Sequence, residues 1–155
     1  MFTVVNQTDR MRTVLFSLLF LTLSLPVVAQ HWAADYGSAQ RTAADEGKSV
    51  VLVFSGSDWC APCIKLDREI WQDPSFQAAA QEDFVFYRAD FPGKKENRLS
   101  EELTEANEKL AERYNQRGAF PLVVILTPDG EVLGQTGYQK VSPTEYLAVL
   151  EGFRQ

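Results

Sequence analysis

The chain has 155 residues, a formal net charge of -6, 45% hydrophobic residues and 23% charged ones, which is the size and make-up of a single globular domain. Setting aside residues 1–29, which carry Asp9, Arg10 and Arg12, leaves 13 basic and 20 acidic residues, a balance that argues against nucleic acid or anionic membrane as a partner. Two cysteines and one histidine, His31, are too few for a zinc site of about four ligands, and no other metal or cofactor is implied.

Arg10 and Arg12 precede the apolar stretch Thr13–Leu25; Pro26 ends it, and Val27-Val28-Ala29 offers small residues for a cleavage site. This is the pattern of a secretory signal peptide over 1–29, followed by one domain over 30–155. The segment between Arg12 and Gln30 falls short of the ~20 apolar residues of a membrane span, and an uncleaved anchor is the alternative. Either way the domain is expected outside the cytoplasm.

Trp32, Tyr36, Ala39 and Ala43 recur at helical spacing and predict a helix over 31–46, ended by Gly47 and Lys48. Val50–Phe54 is a continuous apolar run, as in a strand buried on both faces. A turn over Ser55–Asp58 leads to a second helix from near Cys60 to Gln72, which Asp73-Pro74 interrupts before a short helix over Phe76–Gln81. Phe84–Tyr87 predicts a second strand, and residues 91–99 read as a polar, basic loop, either solvated or shaping partner choice. Ser100 caps a helix to about Tyr114, with Leu103, Leu110 and Tyr114 inward and Gly118 closing it. Leu122–Leu126 is a third strand, and Pro128-Asp129-Gly130 turns it into a fourth, Glu131–Gly137, as an antiparallel hairpin. Ser142 and Glu145 form a capping box for a last helix to Phe153. Apolar runs separated by helices predict parallel pairing with crossovers. The fold class is therefore α/β: one mixed sheet, with an antiparallel edge from the hairpin and helices on both faces.

The chemistry lies in Cys60-Ala61-Pro62-Cys63. A disulfide closing so small a loop restrains the unfolded chain little, so the pair is a poor staple. Placed after a buried strand and at a helix start, it meets unpaired N–H groups and the positive end of the helix dipole, which favour a thiolate. Cys60 is expected to have the lower pKa and the better exposure, and to attack a partner disulfide; Cys63, one turn on, then attacks Cys60 and releases the partner. Pro62 suits the first helical turn. Ile64 directly after Cys63 excludes a haem-attachment motif. An inert disulfide remains the alternative.

The segment Phe54-Ser55-Gly56-Ser57-Asp58-Trp59-Cys60-Ala61-Pro62-Cys63 resembles the active-site segment of the thioredoxin superfamily. Gly118-Ala119-Phe120-Pro121 resembles its cis-proline loop, and Pro128–Gly134 its terminal hairpin, in the same order along the chain. The resemblance implies a thioredoxin fold and thiol–disulfide oxidoreductase activity. It implies Cys60 and Cys63 as catalytic residues, supported by Trp59, Ala61, Pro62, Phe120 and Pro121, with a cis Phe120–Pro121 bond and no cofactor. The implied partners are disulfides of exported proteins and a membrane thiol-electron transporter, whose periplasmic C-terminal domain is similar at Asp58-Trp59-Cys60 and Asp73-Pro74. Ala61-Pro62 is close to thioredoxin's Gly-Pro and leans toward reduction; oxidase, isomerase and an adaptor with a stable disulfide are the other readings. The chain departs from thioredoxin at Phe54, where thioredoxin has a buried aspartate that assists proton transfer. Water, or a group such as Asp58 or Glu69, would have to serve Cys63 instead. Arg88 aligns near thioredoxin's buried lysine.

Overall fold

The computed structural model describes residues 32–154; the predicted signal peptide over 1–29 and His31 lie outside them. Helix α1 runs Tyr36–Glu46, strand β1 Ser49–Ser55 and helix α2 Ala61–Leu66, which continues as a π-helical turn over Asp67–Trp71. Helix α3 (Pro74–Asp83), strand β2 (Phe84–Asp90), helix α4 (Glu101–Tyr114), strands β3 (Leu122–Leu126) and β4 (Val132–Thr136) and helix α5 (Pro143–Gly152) follow. The sheet order is β2-β1-β3-β4.

Every residue of β1 is buried, because its two faces carry two separate cores. Val51 and Val53 pack with Leu66, Ile70 and Trp71 of the α2 segment, and with α3 and α5. Val50, Leu52 and Phe54 pack with Ala39 and Ala43 of α1 and with Leu110 and Tyr114 of α4. Alternation of side chains along a strand produces this division. Trp71 anchors the first core, with its ring 5.3–6.2 Å from those of Trp32, Phe76, Phe86 and Tyr146, in the tilted and edge-on arrangements that aromatic quadrupoles favour.

The mixed sheet with helices on both faces is as expected, but one pairing differs. β1 and β2 are parallel, whereas β3 is antiparallel to β1 as well as to β4. Burial on both faces marks a central strand and says nothing of its direction, so the apolar run of β3 could not reveal it. Trp32 also departs from its expected place. Asp35 caps α1 through a capping box with Ser38, and the chain before it is extended. Ala33 N–H donates to Phe86 O at 2.8 Å, and the Trp32 ring joins Trp71 across the sheet from Ala39 and Ala43. Likewise α4 ends at Tyr114 with Asn115 as its cap; Gly118, at φ 63°, belongs to the following loop. Gly130 is required at the hairpin: it has φ 84°, and a Cβ there would meet the Tyr114 hydroxyl at 2.7 Å.

Two buried polar groups fix α4 over β2. The Tyr87 hydroxyl donates to Asn107 Oδ1 at 2.7 Å, and Asn107 Nδ2 donates to Asp90 O at 3.1 Å, where the chain leaves the sheet. Tyr87→Phe leaves Asn107 without its donor in a buried site. It is expected to lower unfolding stability by about 1–3 kcal/mol, read as a reduced urea midpoint at unchanged slope.

Candidate active site

The redox pair lies where β1 stops. Gly56 O accepts from Cys60 N–H at 2.9 Å, a tight turn that places Cys60 at the N-cap of α2. Cys60 and Cys63 are joined by a disulfide with their Cα atoms 5.2 Å apart. The Cys63 N–H points to Cys60 Sγ at 3.3 Å, so the first sulfur takes the place of a capping oxygen, and Pro62 occupies the first turn, where no N–H is needed. That donor would stabilise a thiolate on Cys60 more than one on Cys63. The exposure expected to distinguish them does not do so in this oxidised pair: Cys60 is 4% exposed and Cys63 3%. Ala61 and Pro62 are exposed beside them.

Trp59 is 53% exposed yet held on every side. Its indole N–H donates to Phe91 O at 2.7 Å, and its ring lies edge-on to Phe120, centroids 5.4 Å apart. Phe120 in turn meets Phe91 at 5.5 Å. The indole lies over Gly56, where a Cβ would come within 2.3 Å of it, and beside Gly93. The Phe120–Pro121 peptide bond is cis, and Asn115 clips the loop before it, its Nδ2 donating to Ala119 O and its Oδ1 accepting from Ala119 N–H. Trp59, which precedes Cys60, thus meets Phe120, which precedes Pro121.

Sequence reasoning missed the role of Asp58. Its carboxylate accepts from Gly93 N–H at 2.8 Å, Lys94 N–H at 3.0 Å and Asn97 Nδ2 at 2.8 Å, while Asp90 accepts from Ser57 N–H and its hydroxyl. The loop over 91–99 is therefore tied to the active-site turn rather than free in solvent. Gly93-Lys94, two backbone donors in a polar turn, was the available signal, but the separation of 35 positions between the partners hid it. These donors, the Gly93 N–H first, hold the Asp58 carboxyl below its usual range. Glu69 accepts from the Tyr138 hydroxyl at 2.7 Å, which lowers its pKa too. Both are poorer bases for it, so neither suits the task of taking a proton from Cys63. Arg88 does not approach Phe54. It pairs with Asp67, stacks on Trp32 at 4.2 Å, and pairs in register with Val53, which faces the other core.

A thioredoxin-like domain matches residues 36–154, and the chain belongs to that family. It is 31% identical over 114 residues to the disulfide bond reductase DsbH of Chlamydia pneumoniae, covering 74% of this chain and 67% of that protein. It is 32% identical over 82 residues to the thioredoxin-related protein DsbJ of the same organism, 47% of this chain but only 24% of DsbJ. The solved structure of a DsbH oxidoreductase superposes with a TM-score of 0.74 at 28% identity, over 86% of this chain and 91% of that one. The chain is a thiol–disulfide oxidoreductase homologous to the Dsb proteins. Among the described residues no cluster of side chains fits a metal ion, and no helix is long and apolar enough to cross a membrane.

Two measurements check this arrangement. The ionised Asp58 stabilises the docked loop, and its folded pKa lies below the unfolded value. The contribution is therefore complete above the ordinary aspartate range and lost as pH falls through the depressed pKa. The amide signals of Gly93 and Lys94 are expected to titrate together below that ordinary range, and Asp58→Asn to abolish the transition. Gly56→Ala displaces the indole, because a flexible side chain yields before the backbone does. The Trp59 indole proton is expected to lose its protection from solvent exchange, while the fold persists.

Proposed function

We propose that the protein is an exported reductase of disulfides in extracytoplasmic proteins. The observation that carries this reading is the Cys60–Cys63 pair at the start of α2, beside the exposed Trp59 and the cis Phe120–Pro121 bond. In the reduced protein the Cys60 thiolate attacks one sulfur of a partner disulfide. The partner S–S bond breaks, its second sulfur leaves as a thiolate and takes up a proton, and a mixed disulfide joins the proteins. Cys63 loses its proton to water and attacks Cys60 Sγ. The mixed disulfide breaks, the partner's first sulfur is released as a thiol, and the Cys60–Cys63 bond forms. Two electrons and two protons have then moved to the partner.

Trp59, Ala61, Pro62, Phe120 and Pro121 shape the surface around the sulfurs, and with Ala119 engaged by Asn115 the Phe120 backbone before Pro121 is the part left for strand-like pairing with a partner chain. The name of the Chlamydia relative, a disulfide bond reductase, supports the direction. Spent protein must be recharged by a dithiol, and for an exported protein a membrane thiol-electron transporter is the donor class. Other Dsb-type proteins are the redox partners this family suggests. Residues 1–29 act as the signal peptide, so the exported protein is expected to begin near Gln30, which mass analysis of its N-terminus checks; retention of Phe16–Leu25 would mean an anchor.

The wild type should reduce insulin disulfides at the expense of dithiothreitol. Cys60→Ser should lower the rate to background, since the attacking thiolate is gone. Cys63→Ala should also stop turnover but accumulate a covalent complex through Cys60. Equal rates for wild type and Cys60→Ser, both at background, would replace this reading with an adaptor whose disulfide is inert.

A further inference from the structure

Four segments meet at the end of the sheet that carries the disulfide. β1 and β2 both stop there, with Ser55 level with Asp90. β3 starts there, opposite Phe54, and β4 ends there, opposite Val123. The segments between these strand ends and the adjoining helices are 56–60, 91–100, 115–121 and 137–142. Of the 13 basic residues from position 30 onward, five lie in these segments, against two of the 20 acidic ones. The five are Lys94, Lys95, Arg98, Arg117 and Lys140, all exposed. None of them forms an ion pair among the described residues.

The two acidic residues do not offset this charge equally. Asp58 is engaged by Gly93, Lys94 and Asn97, and Glu96 stands among Lys94, Lys95 and Arg98. The acidic side chains gather instead along α4, from Glu101 to Glu112. Glu69 reaches Tyr138 of the last segment, yet a chain that is acidic as a whole still carries a basic excess in the loops at the disulfide end of its sheet.

The basic loop is also fixed there. Asp58 and the Trp59 indole, the two residues preceding Cys60, together bind Phe91 O, the Gly93 and Lys94 N–H groups and the Asn97 amide. An untethered loop would carry the same charges without holding them beside the disulfide. We infer that this end of the sheet is a docking surface for acidic partners, and that the loop 93–98, held against the redox centre by Asp58 and Trp59, selects polypeptides with aspartate or glutamate close to the exchanging cysteines. The inference rests on the oxidoreductase reading and adds the partner's charge to it.

The chemistry follows from simple electrostatics. Opposite charges beside the reacting groups raise the rate of productive encounter and orient the partner, and salt screens both effects. On the remainder of the chain acidic residues outnumber basic ones, which disfavours approach of the same partner there. The preference holds for either direction of exchange, since encounter precedes the transfer of electrons.

The test uses two disulfide-bonded peptides that differ only in flanking residues, acidic in one and basic in the other, with uncharged hydroxyethyl disulfide as the reference. Exchange with the reduced protein is followed at about 0.01 M and about 0.15 M salt, between which the Debye length falls from ~30 Å to ~8 Å. Each peptide rate is divided by the reference rate, which removes any loss of folded protein. The acidic peptide should react about tenfold faster at low salt, and the advantage should shrink at high salt. In the variant Lys94→Glu, Lys95→Glu, Arg98→Glu the preference should invert. Equal peptide rates at both salt concentrations, or a preference unchanged in the variant, would overturn the inference while leaving the oxidoreductase reading intact. Exchange with none of the three disulfides would remove that reading and this inference with it.

Discussion

Strand β1 has no exposed residue, so both its faces must be covered before the strand is stable, and that requirement organises the rest. One face recruits the α2 segment, α3 and α5, and the other α1 and α4. Since β1 pairs with both β2 and β3, its backbone is satisfied as well, and its end is a fixed point. Five residues later the chain must present a reactive sulfur. The turn over Gly56–Cys60 does this by stepping directly from a strand with no freedom into the cap of α2, so the sulfurs inherit the rigidity of the core.

The same economy of residues recurs around the pair. Trp59 is more than half exposed, yet its indole is spanned by Gly56 beneath, Gly93 beside, Phe120 at the edge and Phe91 O at the nitrogen. Asp58, next to it, spends its charge on the backbone of the neighbouring loop. The residues adjoining Cys60 thus act outward, on the wall of the site, rather than on the sulfurs. Phe54 stands where the superfamily's proton-handling aspartate would be and is sealed in the apolar core. Burial of an unpartnered carboxylate in that apolar cluster would be costly, so Phe54 itself takes no part in proton transfer.

Much of this was legible beforehand because it is encoded locally. The strand with two apolar faces, the Asp-Pro break before α3, the capping box at Ser142 and the two-residue spacing of the cysteines each require only a short window. The cis-proline loop was legible by resemblance alone. What escaped depends on distant parts of the chain. Trp32 has the right spacing to belong to α1, but the edge of β2 and the Trp71 ring offered it a better site, and only the folded sheet brings Phe86 to position 33. The direction of β3 was hidden because burial is blind to polarity. The clamp on the 91–99 loop was hidden because a carboxylate before a tryptophan looks the same whether it meets solvent or backbone amides.

The claim that most needs measurement is the direction of electron flow, and the equilibrium potential of the Cys60–Cys63 couple tests it most directly. Redox titration against glutathione and dithiothreitol buffers, read by thiol alkylation and mass, gives that value. A reductase should lie near thioredoxin at about -270 mV, and the account predicts a midpoint in that region. A midpoint near the strongly oxidising value of about -120 mV would contradict it and make the protein a donor of disulfides to its partners.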